Sequence, residues 1–194
     1  MKKIVIWIAA LLCVAVVCGG FYLVKIRSEQ NQAKDKTELT EVQKIITKDL
    51  ENSYPATPRE VVKFYNRIIT AFYKEEYTDE ELSQMADQVL ALFDDDLLES
   101  NSKDTYLASL QADIEDYAER SRYIADSRVC ESDEVGYVQD GDDSLAYVWS
   151  SYFVREKNDY TRTYQQYVLR QDDAGNWKIL TFYQVDGVSS EDEE

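Results

Sequence analysis

The chain contains no histidine. That removes the commonest general base and the commonest zinc ligand, so acid–base chemistry would have to rest on carboxylates and tyrosines. Cysteine is scarce as well. Of the three, Cys13 and Cys18 fall in a long apolar run and only Cys130 lies behind it, which excludes a disulfide within the polar part of the chain. A basic surplus is also missing: 21 Lys and Arg stand against 38 Asp and Glu, a formal charge of -17. Such acidity repels phosphate backbones and argues against a nucleic-acid partner. It also keeps a domain off an anionic lipid surface, and otherwise serves solubility. No acidic residue precedes Glu29, whereas Lys2, Lys3, Lys25 and Arg27 do, so the part behind the apolar run is more acidic still. No internal repeat is evident.

What is present begins with that run. Residues 4–24, from Ile4 to Val24, carry no charge. At about 1.5 Å per residue they span roughly 30 Å as a helix, the thickness of a hydrocarbon core. Trp7, Phe21 and Tyr22 lie towards its ends, where amphipathic rings settle. A cleaved signal peptide would have a shorter apolar stretch and a small-residue cleavage site, and Phe21–Lys25 offers none. A lipoprotein would need a small residue before a modifiable cysteine, but Val17 precedes Cys18 and Ala15 stands where a larger aliphatic residue is usual. Residues 1–27 are therefore expected to be a short cytoplasmic tip and an uncleaved transmembrane anchor. The flanking positive charges are nearly balanced. The short tip is most simply left in the cytoplasm, with the acidic domain on the extracytoplasmic side of the cell membrane.

Residues 28–53 read as a polar juxtamembrane linker with a helical stretch, since Leu39, Val42, Ile45, Ile46 and Leu50 recur at near-helical spacing. The domain proper is expected over residues 54–188, with an acidic tail at 189–194. Thr57, Pro58 and Glu60 form a helix start, and Val61, Val62, Tyr65, Ile68, Ile69 and Phe72 then mark one face of a helix to Glu76. Thr78 and Glu81 repeat the capping pattern before a second helix carrying Leu82, Met85, Ala86, Val89, Leu90 and Phe93 and ending in Asp94, Asp95 and Asp96. A third runs from Lys103 to Ser121, with Leu107, Leu110, Ile114 and Tyr117 on one face. After Arg122 the period becomes that of strands. Tyr123–Val138 reads as extended chain broken at Glu131–Glu134. Turns are expected at Asp140–Asp143, Asn158–Asp159 and Asp172–Asn176, with strands between them and a last one over Trp177–Val185. Helices followed by an antiparallel meander make an α+β domain, with three helices on a curved sheet of about four strands.

This order, together with the ending Gly175-Asn176-Trp177-Lys178-Ile179-Leu180, resembles the NTF2-like (cystatin-like α+β cone) superfamily. The resemblance implies a long first helix lying in the concave face of a curved sheet. A narrower one, through Pro58, Val61, Val62, Lys63, Phe64, Tyr65 and Asn66, is to small uncharacterised membrane-anchored proteins of Gram-positive bacteria, and it implies no activity. NTF2-like enzymes work from the cone's cavity with an Asp or His base and a Tyr or Asp donor. Here only carboxylate and tyrosine could serve. Tyr65, Tyr73, Tyr152 and Tyr183 are the candidates to face a cavity, with core packing as their ordinary role.

Three further groups invite a chemical reading. Asp140, Asp142 and Ser144 have the spacing of a calcium loop, but the glycine is misplaced and Ser151 stands where the loop needs Glu, so a hairpin turn is expected. Asp94, Asp95 and Asp96 at a helix C-terminus would be poorly placed against the dipole, which points to a solvated face or a weak cation or partner contact. Cys130 sits among carboxylates that would raise its pKa, so it reads as an unreactive strand residue, with an intermolecular disulfide as the alternative. No catalytic, cofactor-binding or metal-binding set emerges. The expectation is a non-enzymatic, envelope-facing interaction or ligand-binding module, with the membrane and a protein partner or second copy as its contacts. Fold-level analogy adds two alternatives: a scaffold subunit of a secretion or conjugation assembly, and a SnoaL-like or ketosteroid-isomerase-like enzyme.

Overall fold

The computed structural model describes residues 39–186. The expected membrane span, its orientation, the first part of the linker (28–38) and the acidic tail lie outside these residues. Among the described residues, no helix is long and apolar enough to cross a membrane. Helices come first: α1 (Glu41–Ile46), α2 (Pro58–Lys74), α3 (Asp79–Leu90), α4 (Asp95–Ser100) and α5 (Lys103–Glu119). The strands β1 (Arg122–Val129), β2 (Gly136–Asp140), β3 (Asp143–Glu156), β4 (Asp159–Gln171) and β5 (Trp177–Val185) follow. The described chain is thus α+β with an antiparallel sheet, as the change of period implies.

Local chemistry sets the helix starts. The Thr57 hydroxyl accepts the Glu60 amide, and Pro58 occupies the first turn. The Glu60 carboxylate closes the turn one residue further out than a capping box, accepting from the Ala56 amide at 3.0 Å. At Thr78 and Glu81 both halves of the box form. Val61, Val62, Ile68 and Phe72 of α2 are fully buried, as their spacing predicts, and Phe64 and Ala71 widen the face so that α2 meets both the sheet and the other helices. Helix α1 also belongs to this core. Val42 and Ile45 are buried, and the Gln88 side chain of α3 donates to the Ile46 carbonyl at 3.3 Å and the Lys48 carbonyl at 3.1 Å.

The sheet is four strands wide although it contains five. β1 and β2 lie end to end along one edge of β3, pairing with Ser150–Glu156 and Asp143–Tyr147 respectively, and β4 and β5 follow on the other side. Between β1 and β2 the Cys130 amide still reaches the Trp149 carbonyl at 3.0 Å, and the short 3-10 turn Ser132–Glu134 then interrupts the edge. The β2–β3 loop places Gly141 at φ +59, the backbone a tight hairpin asks of its first residue. The next hairpin turns through Lys157 and Asn158, one residue earlier than expected, with Lys157 at φ 54. Extra residues at Ala125 and Leu180 break the ladder register. Bulges of this kind bend a sheet, and here they leave a concave face towards α2 and α5.

The acidic triplet is not where the periodicity put it. Helix α3 stops at Leu90, and Asp94 caps the start of α4, a short helix the sequence reading does not contain. The carboxylates therefore stand at a helix N-terminus, which the dipole favours. Asp94 is buried and pairs with Arg170 of β4, and Asp96 accepts from the same guanidinium at 2.8 Å. Asp94 and Asp96 are thus answered from within the fold and make no free cation site, while Asp95 and Asp96 remain exposed.

Candidate functional site

Ala146, Val148, Ser150 and Tyr152 alternate along β3 on the helix-facing side, and all are buried. The first two are small and aliphatic, so α2 lies close to them. Towards Tyr152 the layers separate. Tyr65, Ile69 and Tyr73, spaced four residues apart on α2, face Tyr106, Leu110, Asp113 and Tyr117 of α5 across a cavity of about 410 Å³. Tyr152 and Val154 of β3, Thr163 and Gln165 of β4, and Phe182 of β5 form its floor. The volume falls within the range of about 300–1,000 Å³ usual for small-molecule pockets.

A hydrogen-bond chain underlies the floor. The Asn66 amide donates to the Ser150 hydroxyl at 2.7 Å, and Ser150 donates to the Arg128 carbonyl at 2.9 Å. The Tyr152 hydroxyl donates to the Asn66 side-chain oxygen, and the Tyr152 and Tyr167 hydroxyls are 2.5 Å apart. Tyr167 lies 2.7 Å from the Gln165 side-chain oxygen. Each phenol has one proton, so both cannot donate outwards and still share one between them. Turning the Gln165 amide so that its nitrogen donates to Tyr167 gives every contact a proton, and amide orientation is assigned from just such networks. Tyr65 stands apart from this chain. It is only 5% exposed, lines the cavity, and its hydroxyl has no hydrogen-bond partner among the described residues.

Burial holds the Tyr65, Tyr152 and Tyr167 hydroxyls above the ordinary phenol range. Burial does the same for Tyr73, Tyr106 and Tyr117, with the Asp113 charge adding to it in each case. These phenols stay protonated near neutrality and serve as donors, not bases. No carboxylate is hydrogen-bonded to a cavity hydroxyl among the described residues.

Of the four candidate tyrosines, Tyr65, Tyr73 and Tyr152 meet at the cavity. Tyr183 does not: it pairs with Gln166 on the other face of the sheet and is 50% exposed. Sequence reasoning missed Tyr106, Asp113 and Tyr167. The signal for the first two was the stripe Tyr106, Leu110, Asp113 and Tyr117 on α5, whereas the sequence was read for the apolar face Leu107, Leu110, Ile114 and Tyr117. Asp140, Asp142 and Ser144 form the expected hairpin turn, in which Gln139 bonds the Gly141 carbonyl and accepts from Ser144. Among the described residues no group of three acidic or cysteine side chains is placed to hold a metal. Cys130 is buried, and burial first, with Glu134 and Glu131 adding, raises its thiol pKa.

A second hollow of about 700 Å³ runs between α2 and β1. Arg59, Lys63, Arg67, Lys74 and Arg128 line it, but as many carboxylates do too. Arg59 pairs with Glu131 at 3.0 Å and Arg67 with Glu41, so much of its charge is answered locally. The smaller cavity carries the Tyr65 hydroxyl, unpartnered among the described residues and open to the cavity, and is the better candidate.

Residues 1–182 match the family described as a domain of unknown function, DUF6715. The chain belongs to that family. No curated protein matches the chain.

Proposed function

We propose that this DUF6715 member is a single-pass, membrane-anchored, extracytoplasmic module that binds a small ligand in the tyrosine-lined cavity without transforming it. The anchor in this reading is the apolar run 4–24, which has the length and the flanking residues of a membrane span. An NTF2-like cone is supported by the long helix α2 against the helix-facing side of a bulged antiparallel sheet, with two further helices of more than two turns beside it. Binding without catalysis is supported by phenols held protonated, none of them bonded to a carboxylate among the described residues.

The observation that carries the reading is the Tyr65 hydroxyl. Among the described residues the one fully enclosed side-chain polar atom without a partner is Gln88 Oε1, so the Tyr65 hydroxyl opens onto the cavity, where it is free to bond an occupant. The test uses the full-length protein in detergent micelles, incubated with a small-molecule extract of the producing cells and examined by native mass spectrometry and thermal unfolding. An adduct that raises Tm is expected. Leu110→Trp, which fills the cavity from α5, should abolish both while the variant still unfolds cooperatively. An extract that leaves mass and Tm unchanged, or an adduct that Leu110→Trp retains, would overturn it.

A further inference from the structure

We infer that the cavity's ligand is a small organic cation, an amine with an apolar body, whose ammonium group is held at the mouth by Asp113 among Tyr73, Tyr106 and Tyr117. The inference rests on the ligand-binding reading and adds the chemical class.

Charge decides the class first. Among the described residues no lysine or arginine lines the cavity, and the exposed Asp113 is the one acidic side chain that does. An anion would meet this carboxylate, and Arg122, over the Tyr117 ring, is already paired with Glu156. Asp113 has no ion pair and no hydrogen bond among the described residues, although Asp87, Asp94, Asp96, Asp116 and Asp126 all have cationic partners. Its charge raises the pKa of the Tyr73, Tyr106 and Tyr117 hydroxyls, and all four side chains line the one cavity.

The rings supply the second argument. Tyr73 and Tyr117 lie 4.2 Å apart between centroids, and the Arg122 guanidinium already sits 5.3 Å from the centre of the Tyr117 ring. The cluster thus accommodates a cation on its outer side. Aromatic faces with a carboxylate at their rim are the surroundings in which ammonium groups bind. Behind the mouth, Ile69, Leu110 and Val154 offer apolar walls for the body of the ligand, and the Tyr65 hydroxyl waits at depth for an acceptor atom on its far end. The acidity of the chain at large, -17 overall, raises the local concentration of cations and speeds their encounter.

The test is calorimetric titration of the full-length protein in neutral-detergent micelles, against empty-micelle blanks, with three probes of one skeleton: 2-phenylethylamine, 2-phenylethanol and 3-phenylpropanoate. The amine is expected to bind roughly tenfold more tightly than the alcohol. Asp113→Asn should remove that preference. Glu115→Gln, which makes the same change in net charge on an exposed face of α5, should leave it in place. If the alcohol binds as well as the amine, or if the two variants behave alike, the cation assignment falls while the ligand-binding reading stands. If the propanoate binds best, the assignment is reversed. If none of the three binds while the extract still gives its adduct, the cation assignment falls and the ligand-binding reading stands; if the extract gives none either, both fall.

Discussion

Asn66 sits in the middle of α2 at 2% exposure, a position where an amide without partners would cost about 1–3 kcal/mol. It is kept there by Tyr152 and Ser150 of β3, more than eighty residues away in sequence. Removing one hydroxyl from this chain strands its neighbour in a dry place. Tyr152→Phe is therefore expected to lose about 1–3 kcal/mol of stability by urea unfolding. Tyr183→Phe, on an exposed ring, should lose almost none, and equal losses for the two would show that the network contributes nothing. At this scale the sequence was legible for ring positions but not for partners. Tyr65 and Tyr152 stood out as candidates by their places on a helix face and an alternating strand. Asn66 looked like any polar residue on a helix, because its role depends on a strand met only after folding.

Helix α4 shows what local pattern leaves out of an element. Six residues, Asp95–Ser100, bury nothing fully, and no periodicity distinguishes them from a loop. What holds them is Asp94, which caps the helix and takes the Arg170 guanidinium of β4. The elements read correctly were those whose instructions are local: the cap at Thr57, the capping box at Thr78 and Glu81, the alternation along β3, and the turn in which Asp172 gathers the amides of Ala174 and Asn176. The misplaced acidic triplet has the opposite character, since its meaning lies in an ion pair between distant segments. Asp94→Ala leaves Arg170 less answered and α4 uncapped, so a loss of about 3–5 kcal/mol is expected by denaturant titration. Asp95→Ala, exposed in the same turn, should change stability by less than about 0.5 kcal/mol. A loss at Asp94 no larger than at Asp95 would count against the pair as the fastener of α4.

For the molecule as a whole, pH acts from the two extremes. Eight tyrosines, Tyr54, Tyr65, Tyr73, Tyr77, Tyr106, Tyr117, Tyr152 and Tyr167, have pKa values raised above 10.0 in the fold, with burial as the main cause. Their stabilising contribution is complete below the unfolded phenol value of about 10 and is lost as pH rises from there through the folded values. On the acid side the Arg67 hydrogen bond lowers Glu41 and the Arg122 hydrogen bond lowers Glu156, so their contribution is lost as pH falls through those depressed values. With no histidine between these limits, Tm should be nearly flat from about pH 5 to 9 and fall steeply above about 10. Phenolate absorbance should then show exposed tyrosines ionising gradually and the buried set in one step with unfolding. Gradual ionisation of all of them in an intact fold would contradict the burial described. The borders of the sheet carry a different consequence. One is cut into β1 and β2 by the Ser132–Glu134 turn, and the other is occupied at its start where the Asp94 and Ile179 amides bond the chain segment between α3 and α4 and β5 to each other. A long, straight row of free amides is the template on which copies of a chain add strand upon strand into fibrils. Among the described residues neither border offers one along its whole length, so these interruptions guard crowded copies of this protein against aggregation.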